Sequence, residues 1–202
     1  KSGHEIIFVD GGSEDDTVDT LRSFTAKHDN ALIISSAKGR ARQMNAGAQQ
    51  AKGNLLLFLH ADTLLPRNAP ELLEGFTASN KSWGRFNVRL SNSRWPFRVI
   101  SWFINHRSRL TSIATGDQAI FVYTDIFMKI GAYSEQPLME DIDLSVRLKR
   151  IGKSYCISEP VVTSARKWER EGIIKTVCLM WRLRAAYAFG ASSSDLAKQY
   201  YQ

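Results

Sequence analysis

Apolar runs alternate with amphipathic segments in the first third of the chain. Runs rich in apolar residues at 6–9, 31–35 and 55–59 are separated by segments whose apolar residues recur at helical spacing. The run at 55–59 contains no polar side chain, which is typical of a strand buried on both faces. The order β-α-β-α-β predicts an α/β fold with a mostly parallel central sheet flanked by helices.

The remaining chain predicts further elements of both kinds. Residues 85–90 alternate apolar and polar side chains, which predicts a strand with one polar face. In the segment 94–113, aromatic residues are interleaved with arginines, which predicts a helix or a mobile lid. For this segment we favour aromatic side chains in the core and arginines in solvent. The other predicted elements are strands at 119–123, 155–157 and 161–163, and helices near 70–76, at 140–151 and at 173–189.

The composition is that of a basic protein. Lysine and arginine outnumber aspartate and glutamate by 27 to 20 in 202 residues, which gives a net charge of +7. This excess favours an anionic partner such as nucleic acid, a nucleotide or an anionic membrane surface. Cys156 and Cys178 form no C-x-x-C motif, and no apolar stretch reaches the ~20 residues of a membrane span. These features predict a cytoplasmic protein.

Acidic residues follow predicted strands or open a predicted helix at three places. Asp10 and Asp62 each follow an apolar run, and Glu140-Asp141 begins the helix at 140–151. Carboxylates at the carboxyl edge of a sheet can bind a base, a ribose or a hard cation. No Walker loop or G-x-G-x-x-G motif occurs, which excludes a typical P-loop ATPase or a dinucleotide-dependent dehydrogenase.

Four short motifs occur in order between about residues 5 and 170. They are Val9-Asp10-Gly11-Gly12-Ser13-x-Asp15-Asp16-Thr17, Arg42-Gln43-Met44-Asn45-x-Gly47, Leu59-His60-Ala61-Asp62-Thr63 and Glu140-Asp141-x-Asp143-Leu144. In order and separation they resemble the family 2 glycosyltransferases, which have the GT-A fold. The amino-acid sequences at 60–62 and 164–168 are most similar to those of a small bacterial subgroup of family 2-like transferases.

The resemblance implies a role for each matching carboxylate. Asp10, with Gly11, would bind the base of a UDP- or GDP-sugar donor. Asp62 would bind Mg²⁺ or Mn²⁺ at the donor diphosphate. Asp141 would act as the general base that deprotonates the acceptor hydroxyl, supported by Glu140, and the reaction would invert the anomeric configuration.

Other residues matched by the resemblance would line the donor site, namely Arg42, Asn45, Arg166 and Trp168. His60 departs from the family pattern, because it stands where the Asp-x-Asp motif has its first Asp. Metal binding would then rest on Asp62, phosphates and water. The family's first strand, with its Pro-x-x-Asn-Glu segment, has no counterpart, and without it we expect weak donor binding.

The resemblance also implies how the chain is divided and what it contacts. We expect one domain, with a nucleotide-sugar-binding half at 1–125, an acceptor and catalytic half at 126–170 and C-terminal helices at 171–202. A lipid-linked acceptor, as in cell-envelope or polysaccharide biosynthesis, fits this scheme. We do not expect nucleic acid as a partner. Peripheral contact with the inner face of the membrane through 173–189 is an alternative to core packing, which we favour for that helix.

Two other functions are compatible with the sequence. A nucleotidyltransferase of related fold would join a sugar phosphate to a nucleotide, but it needs no base such as the one that Glu140-Asp141 implies. A non-catalytic domain that binds RNA or a membrane would account for the net charge of +7 and for the aromatic-arginine segment.

Overall fold

The computed structural model describes residues 3–201. These residues contain seven strands and nine α-helices, joined by turns and loops. The strands are β1 (Ile6–Asp10), β2 (Ala31–Ser35), β3 (Leu55–Leu57), β4 (Thr63–Leu64), β5 (Trp83–Leu90), β6 (Phe121–Tyr123) and β7 (Tyr155–Thr163). The helices are α1 (Thr17–Thr25), α2 (Arg40–Gln50), α3 (Ala69–Thr77), α4 (Trp95–Thr111), α5 (Thr124–Lys129), α6 (Glu140–Ile151), α7 (Arg166–Glu171), α8 (Ile173–Ala188) and α9 (Ser193–Tyr201). A 3-10 turn, Gly116–Gln118, precedes β6.

The strands form two sheets rather than one. β1 and β2 pair in parallel, and the other five strands lie in the order β3-β6-β5-β7-β4. Within the larger sheet β5 and β7 are parallel, and the other pairs are antiparallel. The sheet is therefore mixed, whereas the sequence predicted a mostly parallel one. An apolar run indicates which side chains are buried but not the direction of the strand, since Leu56 would be buried beside either kind of neighbour.

The apolar run at 55–59 forms the predicted strand and ends as it leaves the core. Leu56 and Phe58 are buried, and the Phe58 N–H donates to the Ile120 carbonyl at 2.9 Å just beyond β3. Leu59 is already 42% exposed. The strand thus delivers residues 60–62 to the rim of the sheet.

Helix α4 covers part of β5 and forms hydrogen bonds to the backbone of that strand. The Asn105 side chain accepts a hydrogen bond from the Val88 N–H and donates one to the Val88 carbonyl, at 2.8 and 2.9 Å. Arg85 is fully buried beneath this helix, and its guanidinium donates to Asn87 Oδ1 and to the Asn105 carbonyl. The predicted polar face is exposed at Arg89 but buried at Arg85, because alternation alone cannot reveal that a later helix covers part of the strand.

The core between α2, β3 and α6 fixes where α6 begins. Leu144 and Leu148 are fully buried in this cluster with Ala41 and Ala48 of α2. Within α6, Asp143 and Arg147 form an i,i+4 ion pair, with Nη2 and Oδ2 2.6 Å apart. Arg147 also donates to the carbonyls of residues 130 and 132, which ties the preceding loop to the helix. The first turn of α6 is thereby held near the end of β3.

Candidate active site

The carboxylate of Asp141 is held by two backbone N–H groups. Gly116 in the 3-10 turn donates to Oδ2 at 2.8 Å, and Ile142 donates to Oδ1 at 2.8 Å. Met139, just before α6, adopts a left-handed conformation with φ of 67°, which turns the chain into the helix. The half-buried carboxylate therefore has a set orientation and keeps lone pairs for a ligand.

The ring of His60 lies directly against Gly116. A β-carbon placed on Gly116 would come within 2.5 Å of Cε1 and Nε2 of His60, so only glycine fits this contact. The Nε2 atom is buried and has no hydrogen-bond partner among residues 3–201. Burial and the charge of Arg40 lower the pKa of His60, against the opposing effect of nearby carboxylates, namely those of Asp117, Asp141 and Asp62. His60 is thus a neutral side chain among carboxylates.

Unpartnered buried polar atoms gather around Asp141. Within the described part of the chain they include Tyr133 Oη, Asp117 Oδ1 and both Nε and Nη2 of Arg107. Burial raises the pKa of Tyr133, and the charge of Asp141 raises it further. Burial lowers the pKa of Arg107 to about 10, the charge of Arg184 adds to this, and Asp117 and Asp141 oppose it. Because buried polar groups normally have partners, this concentration suits a polar ligand.

Glu140 lies beneath the rim rather than on it. It is only 3% exposed, and its Oε1 is 3.7 Å from Nη1 of Arg40, whose side chain is half-exposed. Burial and the charge of Asp141 raise the pKa of Glu140 more than Arg40 lowers it. Arg40, the first residue of α2, therefore bridges the buried acid and the solvent.

Asp62 is the exposed member of this group. Among residues 3–201 it forms no hydrogen bond or ion pair, and no three metal-ligating side chains converge anywhere in that range. Mg²⁺ is commonly bound by one or two carboxylates together with substrate phosphates and water. A lone accessible carboxylate fits a metal shared with a substrate, and it does not fit a metal enclosed by protein.

The other end of the predicted donor site is the loop after β1. The carboxylate of Asp10 accepts hydrogen bonds from the Gly12 N–H at 2.9 Å and from the Ser13 hydroxyl at 2.6 Å. The Ser13 hydroxyl, followed by the Gly12 N–H, lowers the pKa of Asp10. Gly11 lies against Gln43 of α2, since a β-carbon there would be 2.9 Å from the Gln43 side chain. Asp10 therefore shapes its own loop, which packs on α2.

Four further residues were predicted to contact the donor. Asn45 exchanges two hydrogen bonds of 2.9 Å with the Tyr133 backbone, which brings α2 to the site. The Nε of Arg42 is 3.1 Å from Oε2 of Glu135. Arg166 is exposed and donates to the Ser164 hydroxyl, and Trp168 packs with Phe97 of α4. None of these described contacts joins Arg166 or Trp168 to Asp141.

Several residues near Asp141 were missed by the sequence reasoning. Gly116, Asp117, Tyr133 and Arg107 all belong to the surroundings of Asp141. The available signal was the segment Thr115-Gly-Asp-Gln directly before a predicted strand, where a glycine and a carboxylate reach the rim of the sheet together.

The motif order and this geometry agree with a comparison against protein families. Residues 1–134 match the family described as Glycosyl transferase family 2. The chain belongs to this family. The predicted resemblance is therefore confirmed, and the match covers β1 to α5 and ends before Glu140-Asp141.

Named relatives of this family 2 member are longer proteins. The probable glycosyltransferase YdaM of Bacillus subtilis is 26% identical over 92% of this chain and 47% of its own length. The PGL/p-HBAD biosynthesis glycosyltransferase Rv2957 of Mycobacterium tuberculosis is 28% identical over 79% of this chain and 60% of its own length. The chain thus spans about half the length of these relatives.

Solved structures confirm the predicted GT-A fold of this family 2 member. The mannosyltransferase PcManGT from Pyrobaculum calidifontis, in complex with GDP-Man and Mn²⁺, aligns with a TM-score of 0.61 and 19% identity. The alignment covers 90% of this chain and 51% of that one. GalNAc-T7 with UDP, GalNAc and Mn²⁺ aligns at 0.57 and 13% identity, over 79% of this chain and 37% of that one.

Proposed function

We propose that this chain transfers a sugar from a nucleoside diphosphate sugar to a hydroxyl acceptor with inversion of configuration. The observation that carries the proposal is the carboxylate of Asp141, oriented by the Gly116 and Ile142 N–H groups beside buried polar atoms without partners. Membership of family 2 and the donors named for the two related structures, GDP-Man and UDP, support the donor class.

Asp141 acts as the general base of a single displacement. It accepts the proton of the acceptor hydroxyl, whose oxygen attacks the anomeric carbon as the bond from that carbon to the diphosphate oxygen breaks. The nucleoside diphosphate leaves with the bonding electrons, and the proton stays on Asp141. Backbone hydrogen bonds keep the carboxylate from rotating away, and Glu140 stays buried behind it.

Asp62 would hold Mg²⁺ or Mn²⁺, which would supply Lewis-acid stabilisation of the leaving diphosphate. The half-exposed guanidinium of Arg40 adds positive charge beside the same rim.

The remaining predicted site residues belong to donor binding. Asp10 and Gly11 form the loop that receives the base, with Arg42 and Asn45 on the adjacent helix. Arg166 and Trp168 contact the donor only if substrate bridges α7 and the Asp141 region. The division of the chain at residues 125 and 170 stays a prediction, as do a cytoplasmic location, a lipid-linked acceptor and membrane contact through 173–189.

The experiment is release of UDP or GDP from a panel of nucleotide sugars, measured with and without hydroxyl acceptors. Asp141→Asn is expected to lower the turnover number by about 10²-fold or more, because the base is lost. Donor affinity, measured by titration calorimetry, is expected to stay within about threefold, a difference of under 1 kcal/mol. Asp125→Asn, the same change in the exposed first turn of α5, is the matched control.

The outcomes distinguish the proposal from its alternatives. Full turnover by folded Asp141→Asn would show that Asp141 is not the general base. Release of pyrophosphate from a nucleoside triphosphate and a sugar phosphate would instead indicate nucleotidyl transfer.

A further inference from the structure

Helix α4 exposes a continuous stripe of large apolar side chains. Five of them lie on one face at i, i+4, i+7, i+8 and i+15, and most are more than half exposed: Trp95, Val99, Trp102, Phe103 and Leu110. Leu110 is 86% exposed and Trp95 74%. The opposite face, with Phe97 and Ile100, is buried against β5. The sequence favoured core positions for these aromatic residues, and the structure buries only Phe97 among Trp95, Phe97, Trp102 and Phe103.

Helix α8 presents the same pattern. Ile174 and Trp181 lie at i and i+7 and are 80% and 72% exposed, and Phe189, directly after the helix, is 91% exposed. Leu183, on the other side of the helix, is fully buried in the cluster with α6 and α9. Both helices therefore carry a core face and a second apolar face that is turned to solvent.

The two helices are neighbours beside the Asp141 site. Near their starts, Phe97 and Ile100 of α4 share an apolar cluster with Ile173 of α8. Near the ends of the two helices, the charge of Arg184 lowers the pKa of Arg107, and the charge of Asp141 raises it. The two helices thus approach each other at two places, and α4 reaches the surroundings of Asp141 through Arg107.

The charges on these helices have one sign. α4 carries Arg98, Arg107 and Arg109, α8 carries Lys175, Arg182 and Arg184, and neither helix contains Asp or Glu. Nε and Nη2 of Arg107 are buried near Asp141, and four of the other five cations are exposed, namely Arg98, Arg109, Lys175 and Arg182. Exposed Trp, Phe and Leu with flanking Arg and Lys, and no acid, is the composition of a helix that lies on anionic lipid.

We propose that α4 and α8 together form a surface that binds an anionic membrane and holds the Asp141 site at the level of the lipid head groups. No helix in residues 3–201 is long and apolar enough to cross a bilayer, so the helices lie along the surface, with tryptophans inserted and cations toward lipid phosphates. The membrane contact needs no catalysis. Only its corollary, that the acceptor is an amphiphile in the same membrane, rests on the proposed function.

The experiment is flotation of the protein with vesicles, without donor or acceptor. Vesicles of phosphatidylcholine alone are compared with vesicles that also contain phosphatidylglycerol, at low and high salt. We expect flotation with the anionic vesicles, weakened at least tenfold by salt or by the pair Arg98→Gln and Arg182→Gln. The pair Trp102→Ser and Trp181→Ser is expected to weaken it at least tenfold on anionic vesicles at either salt concentration.

Met128→Ser is the matched control, because Met128 is a 43% exposed apolar residue on α5. It is expected to float like the unchanged protein. Circular dichroism and thermal unfolding verify that each variant is folded, which the exposure of the altered side chains favours.

Three results would overturn the inference. They are an absence of flotation with anionic vesicles, flotation of the double tryptophan variant equal to that of the control, and a dimer that the tryptophan changes dissociate without any vesicle binding. A protein that floats but transfers no sugar would keep the membrane surface and lose the proposed function. A protein that transfers sugar but does not float with vesicles would support the proposed function and contradict the membrane surface.

Discussion

Gly116→Ala tests the central contact of the candidate site. The added β-carbon would lie 2.5 Å from the ring of His60, whereas ordinary contacts begin near 3.4 Å. The ring or the turn must therefore move by about 1 Å. Because Nε2 of His60 is already enclosed, we expect the turn to give way and the hydrogen bond from Gly116 to Asp141 to lengthen.

The magnitude follows from that hydrogen bond. A hydrogen bond to a charged group contributes about 1.5–3 kcal/mol, and its loss in the transition state corresponds to roughly a 10- to 150-fold lower turnover number. The Michaelis constant for the donor should change less than the turnover number, because the weakened hydrogen bond orients the proposed base and not the donor. Steady-state release of nucleoside diphosphate measures both quantities.

Two comparisons separate this mechanism from a general loss of stability. Gly152→Ala is the control, because its backbone is extended and a β-carbon there meets nothing within 4 Å. Combining Gly116→Ala with His60→Ala removes the clash, and the double variant should be more active than Gly116→Ala alone. Turnover by folded Gly116→Ala within twofold of the unchanged protein would refute the reasoning.

Three further predictions concern stability, pH and metal. Gly84→Ala should lower the free energy of unfolding by about 3 kcal/mol in denaturant titrations, because its β-carbon would lie 2.4 Å from the Phe121 ring and 2.5 Å from the Tyr155 carbonyl oxygen; a loss no larger than that of Gly152→Ala would contradict this. The folded protein raises the pKa of Glu140 above 4.5, so it binds more protons than the unfolded chain just above that pH. The free energy of unfolding should therefore fall, relative to that of Glu140→Gln, as pH rises from 4.5 through the folded pKa. If the difference in free energy of unfolding between the two proteins does not change with pH, the raised pKa of Glu140 is contradicted. Chelation should abolish transfer and added Mn²⁺ or Mg²⁺ restore it, with Asp62→Asn needing more metal for half-maximal activity; transfer unaffected by chelator would exclude the metal assignment.

Burial patterns explain which parts of the fold could be predicted. The apolar run at 55–59 located β3 and the turn that carries Asp62, because a short run without polar side chains is typical of a buried strand. The two short strands predicted near 155 and 163 are one strand, β7, whose pairing skips from Ile157 to Pro160 opposite Phe86 and Asn87. A proline lacks the N–H that a regular ladder needs, so its position in the run indicated a break rather than an irregular strand.

The candidate site was predictable only where a carboxylate follows a clear element. Asp62 follows a clear strand and Asp141 opens a clear helix, whereas Gly116 acts through its missing side chain and its backbone N–H. His60 could be recognised as unusual, but its contact with a glycine 56 positions later depends on tertiary packing. The same holds for α4, where helical spacing places aromatic residues on two faces but cannot tell which face the sheet will cover.

The hydrogen bond from Gly116 to Asp141 also bears on how the protein folds during synthesis. It joins residues 25 positions apart, and the paired bonds between Asn45 and Tyr133 span 88 positions. A chain emerging from the ribosome therefore exposes β1 to β3 well before the turn and helix that complete the site. A nascent chain can therefore form the proposed nucleotide-binding loops early, whereas the proposed base is in place only once α6 has docked. Pulse-labelled chains should accordingly gain protease resistance in the first half before they gain activity.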